Sequence, residues 1–328
     1  MPVLDGTDPA ALAAAAQTLA AGELVAFATE TVYGLGARAD DAQAVAKVFA
    51  AKGRPSDHPL IVHVADAASA GVFADAASPL AQRLMAAFWP GPLTLILPRR
   101  SGVAQAAAGG QSTIGLRCPA HPVAQALLRA AAVHGVPGVA APSANRFGRL
   151  SPTTAAHVQH EFGAHLCVLD GGACALGIES SIVDLSRGHA TLLRPGSLTA
   201  ADIERALGQP LLAPDAAAPR ASGTLAAHYA PRASLRLLDG AALGAALTLP
   251  QGLPGALAVY SRTVDWPTAP PGRFRRMPGD AGAAAQELYA ALRELDASGV
   301  ALIWVEAPPD TPDWDGVRDR LRRAAAAG

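Results

Sequence analysis

Four basic side chains surround a short apolar run in the segment KGRPSDHPLIVH, residues 52–63. The run Leu-Ile-Val predicts a buried strand, whereas an isolated charge in a dry interior is strongly unfavourable. The cations therefore lie on a solvated rim or face a negatively charged group; they are Lys52, Arg54, His58 and His63. Lys52 is one of only two lysines in a chain with 24 arginines, which weakly favours a need for a compact ammonium group at this position.

Hydroxyl, amide and cationic side chains recur after further apolar runs. They lie in TETVYGLG (29–36), GLRCPAHP (115–122), AAPSANR (140–146), GIESSIVD (177–184), LRPG (193–196) and SGTLAAHYAP (222–231). Each segment alone is as typical of a structural turn or helix cap as of a ligand contact. Together they supply cations and hydroxyls without an obvious carboxylate triad. This combination favours recognition of phosphate and carboxylate groups, with catalysis by positioning and charge neutralisation.

The signatures of several other chemistries are absent from the sequence. The chain contains no G-x-x-x-x-G-K-[ST] phosphate loop, no H-E-x-x-H metal helix and no G-x-S-x-G nucleophile turn. Its three cysteines form no C-x-x-C pair, so we expect buried apolar residues rather than disulfides or metal ligands. No metal site formed by the protein is predicted.

Composition predicts a folded chain with two domains, because 51% of its 328 residues are hydrophobic and only 16% are charged. The net charge of -1 does not support tight general binding of nucleic acid, although a local basic cleft stays open. The N-terminal residues lack the basic region of a signal peptide, and no apolar run reaches the roughly 18–20 residues that span a bilayer. We expect a soluble, cytoplasmic protein without membrane contact.

Strand-like and helix-like segments alternate along the chain, which is typical of an α/β sandwich with a twisted sheet. Predicted strands include GELVAFAT, PLIVHV and GALAVYS, and predicted helices span 40–51, 79–88, 121–134, 153–162, 199–207, 281–296 and 315–326. The predicted units are a domain at 1–212, a linker or lid at 213–232 and a smaller α/β domain at 233–328. Ligands are expected outside the carboxyl ends of the strands.

The order and wording of the polar segments resemble the threonylcarbamoyl-AMP synthase family in its long two-domain form. The matching segments are TETVYGLG, K-x-R-P-x-x-H-P-L-I-V-H, WPGPLTLIL, LRCPAHP, APSAN…SPT, ESSIVD, LLRPG and HYAP. They cover about residues 10–232, and the region after 232 is similar in pattern only. The resemblance implies a YrdC-like twisted open mixed sheet with helices, followed by a smaller Rossmann-like α/β domain.

The resemblance also implies a reaction and its partners. ATP, L-threonine and bicarbonate would give threonylcarbamoyl-AMP and diphosphate, with Mg²⁺ accompanying ATP. The product would pass to a tRNA threonylcarbamoyl-transferase complex, which modifies the adenosine beside the anticodon. A weak contact with tRNA or double-stranded RNA is left open.

Site residues follow from the resemblance position by position. The implied L-threonine contacts are Thr31, His63, Arg117, Ala141 and Ser181. The implied ATP contacts are Lys52, Arg54, His58, Thr113, Ser143, Asn145, Ser151, Arg194 and Tyr229. Lys52 and Arg54 would also stabilise charge in the reaction, and Tyr229 would close over ATP. The chain departs from the family's linker at 224–227, where TLAA replaces a Met-Lys-Tyr stretch, so a linker lysine contact is absent.

Two alternatives compete with the synthase hypothesis. A non-catalytic RNA-binding module could use the same basic cleft, but Thr31, His63, Arg117 and Ser181 suit a small amino acid and are superfluous for RNA. A carbamoyl-adenylate enzyme of hydrogenase maturation would carry acylphosphatase and zinc-finger modules, and the sequence contains neither.

Overall fold

Two β-sheets organise the protein. The computed structural model describes residues 3–75, 78–248 and 257–328. In these ranges the first sheet contains β1 (Val3–Asp5), β2 (Val25–Phe27), β3 (Gly34–Arg38), β4 (Ile61–His63), β5 (Leu93–Pro98), β6 (Thr113–Arg117), β7 (Val139–Ala140), β8 (Cys167–Asp170), β9 (Ser181–Asp184) and β10 (Thr191–Arg194). The second sheet contains β11 (Ser234–Leu238), β12 (Leu257–Ser261), β13 (Phe274–Arg276) and β14 (Leu302–Glu306).

Helices connect the strands of both sheets. In chain order they are α1 (Pro9–Ala20), α2 (Ala42–Lys52), α3 (Ala67–Ala70), α4 (Pro79–Phe88), α5 (Pro122–Val133), α6 (Ala155–Phe162), α7 (Ala200–Leu207), α8 (Gly240–Leu247), α9 (Ala281–Ala297) and α10 (Asp315–Ala325). The predicted α/β class is therefore confirmed.

Strand direction differs between the two sheets. The first sheet has the order β1-β8-β2-β3-β7-β4-β6-β5-β9-β10 and mixes parallel pairs, such as β4–β6, with antiparallel pairs, such as β5–β6. The second has the order β11-β14-β12-β13, and all three of its strand pairs are parallel. A mixed open sheet followed by a smaller parallel α/β unit is the predicted architecture.

Helix α2 illustrates how local chemistry positions the first basic cluster. Asp41 caps its N-terminus by accepting hydrogen bonds from the amides of residues 43 and 44. Val45 and Val48 are fully buried on the face turned to the core, and each such side chain contributes about 1.5–3 kcal/mol by burial. Gly53 ends the helix with a left-handed φ of 64°, which leaves Lys52 in the last turn.

Most predicted elements agree with the structure within two residues at either end. Four short elements were missed: β1, β3, α3 and α8. Strand β3 begins within the segment TETVYGLG and continues to Arg38. It was missed because its Gly-rich sequence has no strand signal, and pairing with β2 and β7 stabilises it. The first two residues of the predicted strand GALAVYS lie outside the described residues. The domain boundaries at 212 and 232 stay predictions.

Two further expectations can be compared with the described residues. All three cysteines are buried and free, as expected. Among the helices described, none combines the length and apolar character that crossing a membrane demands.

Candidate active site

A tight turn after β2 presents two threonines to the interior. The Thr29 hydroxyl donates to the carbonyl of Val32 at 2.6 Å and lies 2.9 Å from the Thr31 hydroxyl. Thr31 is fully buried and accepts a hydrogen bond from Arg117 Nη1 at 2.8 Å. The turn is therefore held by its own hydroxyls and by a cation from another strand.

Arg117 lies at the end of β6 beside the end of β4. It is the register partner of His63, so the two side chains emerge at neighbouring strand ends. Its second guanidinium nitrogen pairs with the Glu30 carboxylate at 2.6 Å. Burial raises the pKa of Glu30, but the charge of Arg117 and hydrogen bonding to it bring the net shift below the ordinary value. Glu30 is therefore ionised at neutral pH and partly neutralises Arg117.

His63 is a neutral, buried imidazole. Its side chain is 4% exposed, and burial, followed by the charge of Arg117, lowers its pKa to about 3. Among the described residues its Nδ1 has no hydrogen-bond partner. A buried polar atom without a partner is costly in a folded protein, which makes this nitrogen a ready contact for a polar ligand.

Lys52 is buried at the end of α2. Its ammonium donates to the carbonyls of Ser143 and Asn145, at 2.6 and 2.5 Å. Burial, followed by the charge of Arg54, lowers the pKa of Lys52 well below its ordinary value. The ammonium is bound to neutral carbonyls rather than to a carboxylate, so an anion nearby would stabilise its charged form.

Arg54 and Asn145 present further polar atoms close to Lys52. Arg54 is 8% exposed, donates to the carbonyl of Pro59 at 2.9 Å and lies 5.6 Å from the centre of the Phe147 ring. Burial lowers its pKa to about 10, so it is a cation at neutral pH. The Nε of Arg54 and the Oδ1 of Asn145 are buried and lack partners among the described residues.

Arg194 ends β10 and joins the linker to the sheet. Its guanidinium donates to the carbonyl of Ser180 at 2.8 Å and to that of Ser222 at 2.8 Å. Tyr229 lies next to it, 1% exposed, with a left-handed φ of 59° that costs a non-glycine residue about 1–2 kcal/mol. Such strain often accompanies a functional position.

These groups line one cavity, whose empty space of about 570 Å³ includes the part that is open to solvent. The predicted residues that line it are Thr31, Lys52, Arg54, His63, Arg117, Ala141, Ser143, Asn145, Arg194 and Tyr229. Ile61 and His63 are two residues apart on β4, so their side chains lie on the same face of the sheet. Both line the cavity, which therefore extends over that face. The lining includes both ends of β4, so the cavity extends beyond the carboxyl ends of the strands, where a ligand was expected.

Four predicted contacts lie outside this cavity. Thr113 and His58 line two further cavities, and both of these cavities include Pro59 in their lining. Ser151 is fully buried and donates to the Glu179 carboxylate at 2.5 Å. Ser181 is also fully buried and donates to the carbonyl of Leu198 at 3.1 Å. The roles predicted for these four residues stay predictions.

Sequence reasoning assigned no role to several residues of this site. Glu179 and Ser180 line the cavity and Glu30 pairs with Arg117; all three lie within segments that were singled out, yet none was assigned a ligand. Phe147 and His228 also line the cavity, and their rings lie 5.9 Å apart. Their signal was position: His228 directly precedes Tyr229, and Phe147 lies two residues after Asn145, and both Tyr229 and Asn145 were predicted to contact ATP.

The arrangement has two chemically distinct ends. Arg117, His63 and Thr31 form a small pocket that matches a carboxylate, an amine and a hydroxyl. Lys52, Arg54 and Arg194 form a cationic end whose charges are suited to phosphate oxygens. No group of three or more His, Cys, Asp or Glu side chains that could hold a metal ion occurs among the described residues.

Comparison with protein-family models identifies both parts of the chain. The Sua5/YciO/YrdC family model, described as "Telomere recombination", matches residues 17–196. A second model, described as "Threonylcarbamoyl-AMP synthase, C-terminal domain", matches residues 198–326.

Individual relatives agree with the family models. The threonylcarbamoyl-AMP synthase of Bacillus subtilis is 37% identical over 98% of this chain and 94% of its own length. That of Pyrococcus abyssi is 43% identical over 67% of this chain, and the match spans 65% of its own length. The crystal structure of P. abyssi Sua5 complexed with L-threonine superimposes with a TM-score of 0.85 at 34% identity, covering 96% of this chain and 94% of that one. The chain belongs to the Sua5/YciO/YrdC family and carries the C-terminal domain of the threonylcarbamoyl-AMP synthases.

Proposed function

We propose that this protein is an L-threonylcarbamoyladenylate synthase, which forms threonylcarbamoyl-AMP and diphosphate from ATP, L-threonine and bicarbonate. The observation that carries the proposal is a single cavity in which the Arg117 pocket and the Lys52–Arg54–Arg194 cluster face one another. The names of the relatives and the threonine-bound structure support it. A protein that bound only an amino acid or only a nucleotide would need one of these two ends, whereas a reaction that joins an amino acid to a nucleotide requires both.

L-Threonine occupies the Arg117 end in this proposal. Arg117 holds its carboxylate, and Thr31, His63 and Ala141 complete the pocket. Ser181 is the remaining proposed contact and lies outside the cavity lining. The Arg117–Glu30 pair of 2.6 Å then sets the charge of this end, because Glu30 partly offsets the guanidinium. The substrate carboxylate shares Arg117 with Glu30, and its amine takes a hydrogen-bonding position that the buried His63 nitrogen offers.

ATP occupies the cationic end. Lys52 and Arg54 contact the triphosphate, Arg194 and Tyr229 contact the nucleotide from the linker side, and Ser143 and Asn145 lie between them. The remaining proposed contacts, His58, Thr113 and Ser151, lie around this end. Triphosphate oxygens beside Lys52 would offset the burial that disfavours its ammonium form and lowers its pKa.

The proposed chemistry uses no covalent protein nucleophile. The neutral amine of threonine attacks the carbon of CO2 derived from bicarbonate, forms a C–N bond and loses a proton, which gives a carbamate. A carbamate oxygen then attacks the α-phosphorus of ATP, and the bond to the bridging oxygen of diphosphate breaks. Lys52 and Arg54 stabilise the negative charge that builds up on the phosphate oxygens in this step.

Mg²⁺ enters this proposal with ATP. The residues around the cavity do not fit a metal site formed by the protein, because the Glu179 carboxylate is taken by Arg320, Tyr289 and Ser151. Mg²⁺ commonly binds through substrate phosphates and retains several waters. We therefore derive no step through a protein-bound metal.

The fate of the product is also part of the proposal. Threonylcarbamoyl-AMP is a mixed anhydride, so an enzyme that transfers the threonylcarbamoyl group to an adenosine of tRNA must consume it. A tRNA threonylcarbamoyl-transferase complex is the proposed partner, and a weak contact with tRNA belongs to the same proposal. The proposed place of action is the cytoplasm, where tRNA is available.

Diphosphate release tests the proposed function directly. The purified protein would be incubated with ATP, Mg²⁺ and bicarbonate, with and without L-threonine. We expect release that requires both threonine and bicarbonate, and none above background with serine or valine at the same concentration. The Arg205→Ala variant is a matched control, because Arg205 is a surface cation of α7 with a 75% exposed side chain. A folded protein that binds ATP but releases no diphosphate with any amino acid would reject the proposal and favour an RNA-binding module.

A further inference from the structure

Glu179 places a negative charge where the triphosphate is proposed to bind. Among the described residues that line the cavity, four are cations and Glu179 is the single carboxylate. It is 7% exposed and precedes β9 in the segment GIESS. An ionised carboxylate without a partner would repel the phosphate oxygens of a ligand in the same poorly hydrated cavity.

Two side chains from the second sheet's helices neutralise and fix this carboxylate. Arg320 on α10 donates from Nε to Glu179 Oε2 at 2.7 Å, and Tyr289 on α9 donates to the same oxygen at 2.9 Å. Ser151 donates to the other oxygen at 2.5 Å. Burial raises the pKa of Glu179, but the charges of Arg320 and Arg194 and these hydrogen bonds lower it to about 2.

Arg320 also joins three segments that surround the nucleotide end. It donates to the carbonyls of Glu179 and Pro195, at 3.1 and 2.9 Å, and its guanidinium lies 5.2 Å from the centre of the Tyr229 ring. The side chain is fully buried although it carries a charge. Arg320 therefore contacts GIESS, the LRPG turn and the HYAP segment while lying behind the cavity lining.

Close backbone packing keeps the second sheet's helices in register with these segments. A Cβ on Gly316 of α10 would lie 2.6 Å from the carbonyl oxygen of Gly196. A Cβ on Gly177, whose φ is 75°, would lie 2.4 Å from the carbonyl oxygen of Ala285 in α9. The backbones therefore approach closely at both glycines, and α9 and α10, which carry Tyr289 and Arg320, pack directly against the segments on either side of Glu179.

We propose that Arg320 and Tyr289 are positioning residues for the ATP end of the site: they neutralise Glu179 and hold it, together with Tyr229, in the arrangement that accepts a triphosphate. This inference rests on the proposed function, since it assigns ATP to that end. The second α/β unit would then support nucleotide binding through Glu179 and Tyr229, although Arg320 and Tyr289 do not themselves contact the ligand. Threonine binding, at the Arg117 end, depends far less on Arg320.

A purely structural role for Arg320 makes a different prediction. Replacing a buried ion pair by apolar groups is often neutral for stability, whereas removing one partner leaves a buried charge. If Arg320 acts through Glu179, removing the carboxylate must restore ATP binding to an Arg320 variant. If Arg320 only fills space, the Glu179 substitution restores nothing.

The test uses the full chain and measures ATP and L-threonine dissociation constants by calorimetry, each ligand alone, and threonine-dependent diphosphate release. For Arg320→Met we expect at least a tenfold weaker ATP affinity and threonine affinity within twofold. For Arg320→Met combined with Glu179→Gln we expect ATP affinity within threefold of the unmodified protein. Tyr289→Phe should weaken ATP about threefold, and Arg320→Lys should fall between the unmodified protein and Arg320→Met. Arg322→Met, at an exposed position of the same helix, is the control and should change neither affinity.

Each outcome decides for or against the inference. Equal loss of both ligands, or a lower melting temperature with unchanged ATP affinity, would overturn it. Failure of the double variant to recover ATP affinity would overturn it as well. If Arg320→Met does not fold, Arg320→Lys and Tyr289→Phe decide on ATP affinity alone. Calorimetry separates this inference from the proposed function. An unmodified protein that binds ATP without turnover rejects the synthase only. Normal turnover of the unmodified protein, together with an Arg320→Met substitution that leaves ATP affinity unchanged, rejects the inference only.

Discussion

Glu179 and Glu306 are buried carboxylates in the two sheet regions, and each has a pKa of about 2 for a different reason. Burial raises the pKa of both. Around Glu179 the charges of Arg320 and Arg194 bring it down, and Arg320 comes from 141 residues away. Around Glu306 hydrogen bonds from Ser261, Thr263 and the amide of Arg262 bring it down, all at the neighbouring strand end.

The difference explains why one region forms the candidate site. At the carboxyl ends of β12 and β14 the Glu306 side chain accepts the amide and hydroxyl groups that a ligand would otherwise use. Over the first sheet the cations keep buried nitrogens without a hydrogen-bond partner, and the Arg54 Nε is one example. Glu306 therefore occupies the strand-end donors of the second region, although Arg262 Nε beside it also lacks a partner among the described residues. The first region instead gathers unpartnered polar atoms of Arg54, His63 and Asn145 around one cavity.

The largest effect is expected for Arg54→Ala. Loss of a charge that stabilises the phosphate in the transition state should lower diphosphate release by about 100-fold or more. The melting temperature should change little, because Arg54 makes one hydrogen bond to a carbonyl. Steady-state kinetics and a thermal melt check both statements, and full turnover would remove Arg54 from the proposed catalytic residues.

Glu306→Gln should reverse that pattern. Its ionised oxygens accept hydrogen bonds from two amides and two hydroxyls, so neutralising the group should lower the free energy of unfolding by about 2–3 kcal/mol. Turnover of the protein that remains folded should stay unchanged. Chemical denaturation combined with the diphosphate assay tests this, and a kinetic defect without loss of stability would contradict the contrast between the regions.

Acid pH should affect the first region before the second. All nine histidines precede residue 229, and His63 and His228 have a folded-state pKa of about 3, below the ordinary 6.5. The unfolded chain therefore binds more protons, so their stabilising contribution is complete above pH 6.5 and is lost as pH falls from 6.5 towards 3. At pH 5 each should lower the free energy of unfolding by about 2 kcal/mol.

Unfolding followed separately in the two regions, by hydrogen exchange at pH 7.5 and pH 5, measures this difference. His228→Gln should remove about half of the loss due to these two histidines. A second sheet that weakens as much as the first over this pH interval would contradict the expectation.

The smallest effects should be equal in the two regions. Thr199 caps α7 by accepting from the amide of Asp202, and Asp280 caps α9 by accepting from the amide of Ala283. Replacing either by alanine should lower the free energy of unfolding by about 1 kcal/mol, without loss of turnover. Urea denaturation of both variants measures the change in the free energy of unfolding. A much larger decrease at one cap would show that its residue also stabilises the packing between the two sheet regions.

Helix caps and apolar patterns made most elements predictable. The predicted helix 79–88 matches α4, and Asp8 followed by Pro9 is a local start signal at α1. The short elements β3 and α8 were missed because GLGAR and GAALGAAL carry weak local preferences, and pairing or packing with distant segments stabilises them. Arg320 had a signal that was not used: it lies on the buried stripe of α10 with Val317, Leu321 and Ala324.

The sequence by itself determined the α/β class, most helix and strand positions and the cationic segments, because short-range periodicity and capping encode them within a few residues. Only the tertiary structure decided that Arg117 pairs with Glu30, that Ser151 is directed at Glu179 and that Arg320 lies behind the nucleotide end. These contacts join residues from 28 to 141 positions apart. Their formation depends on sheet order and on the packing of α9 and α10, which no local pattern specifies.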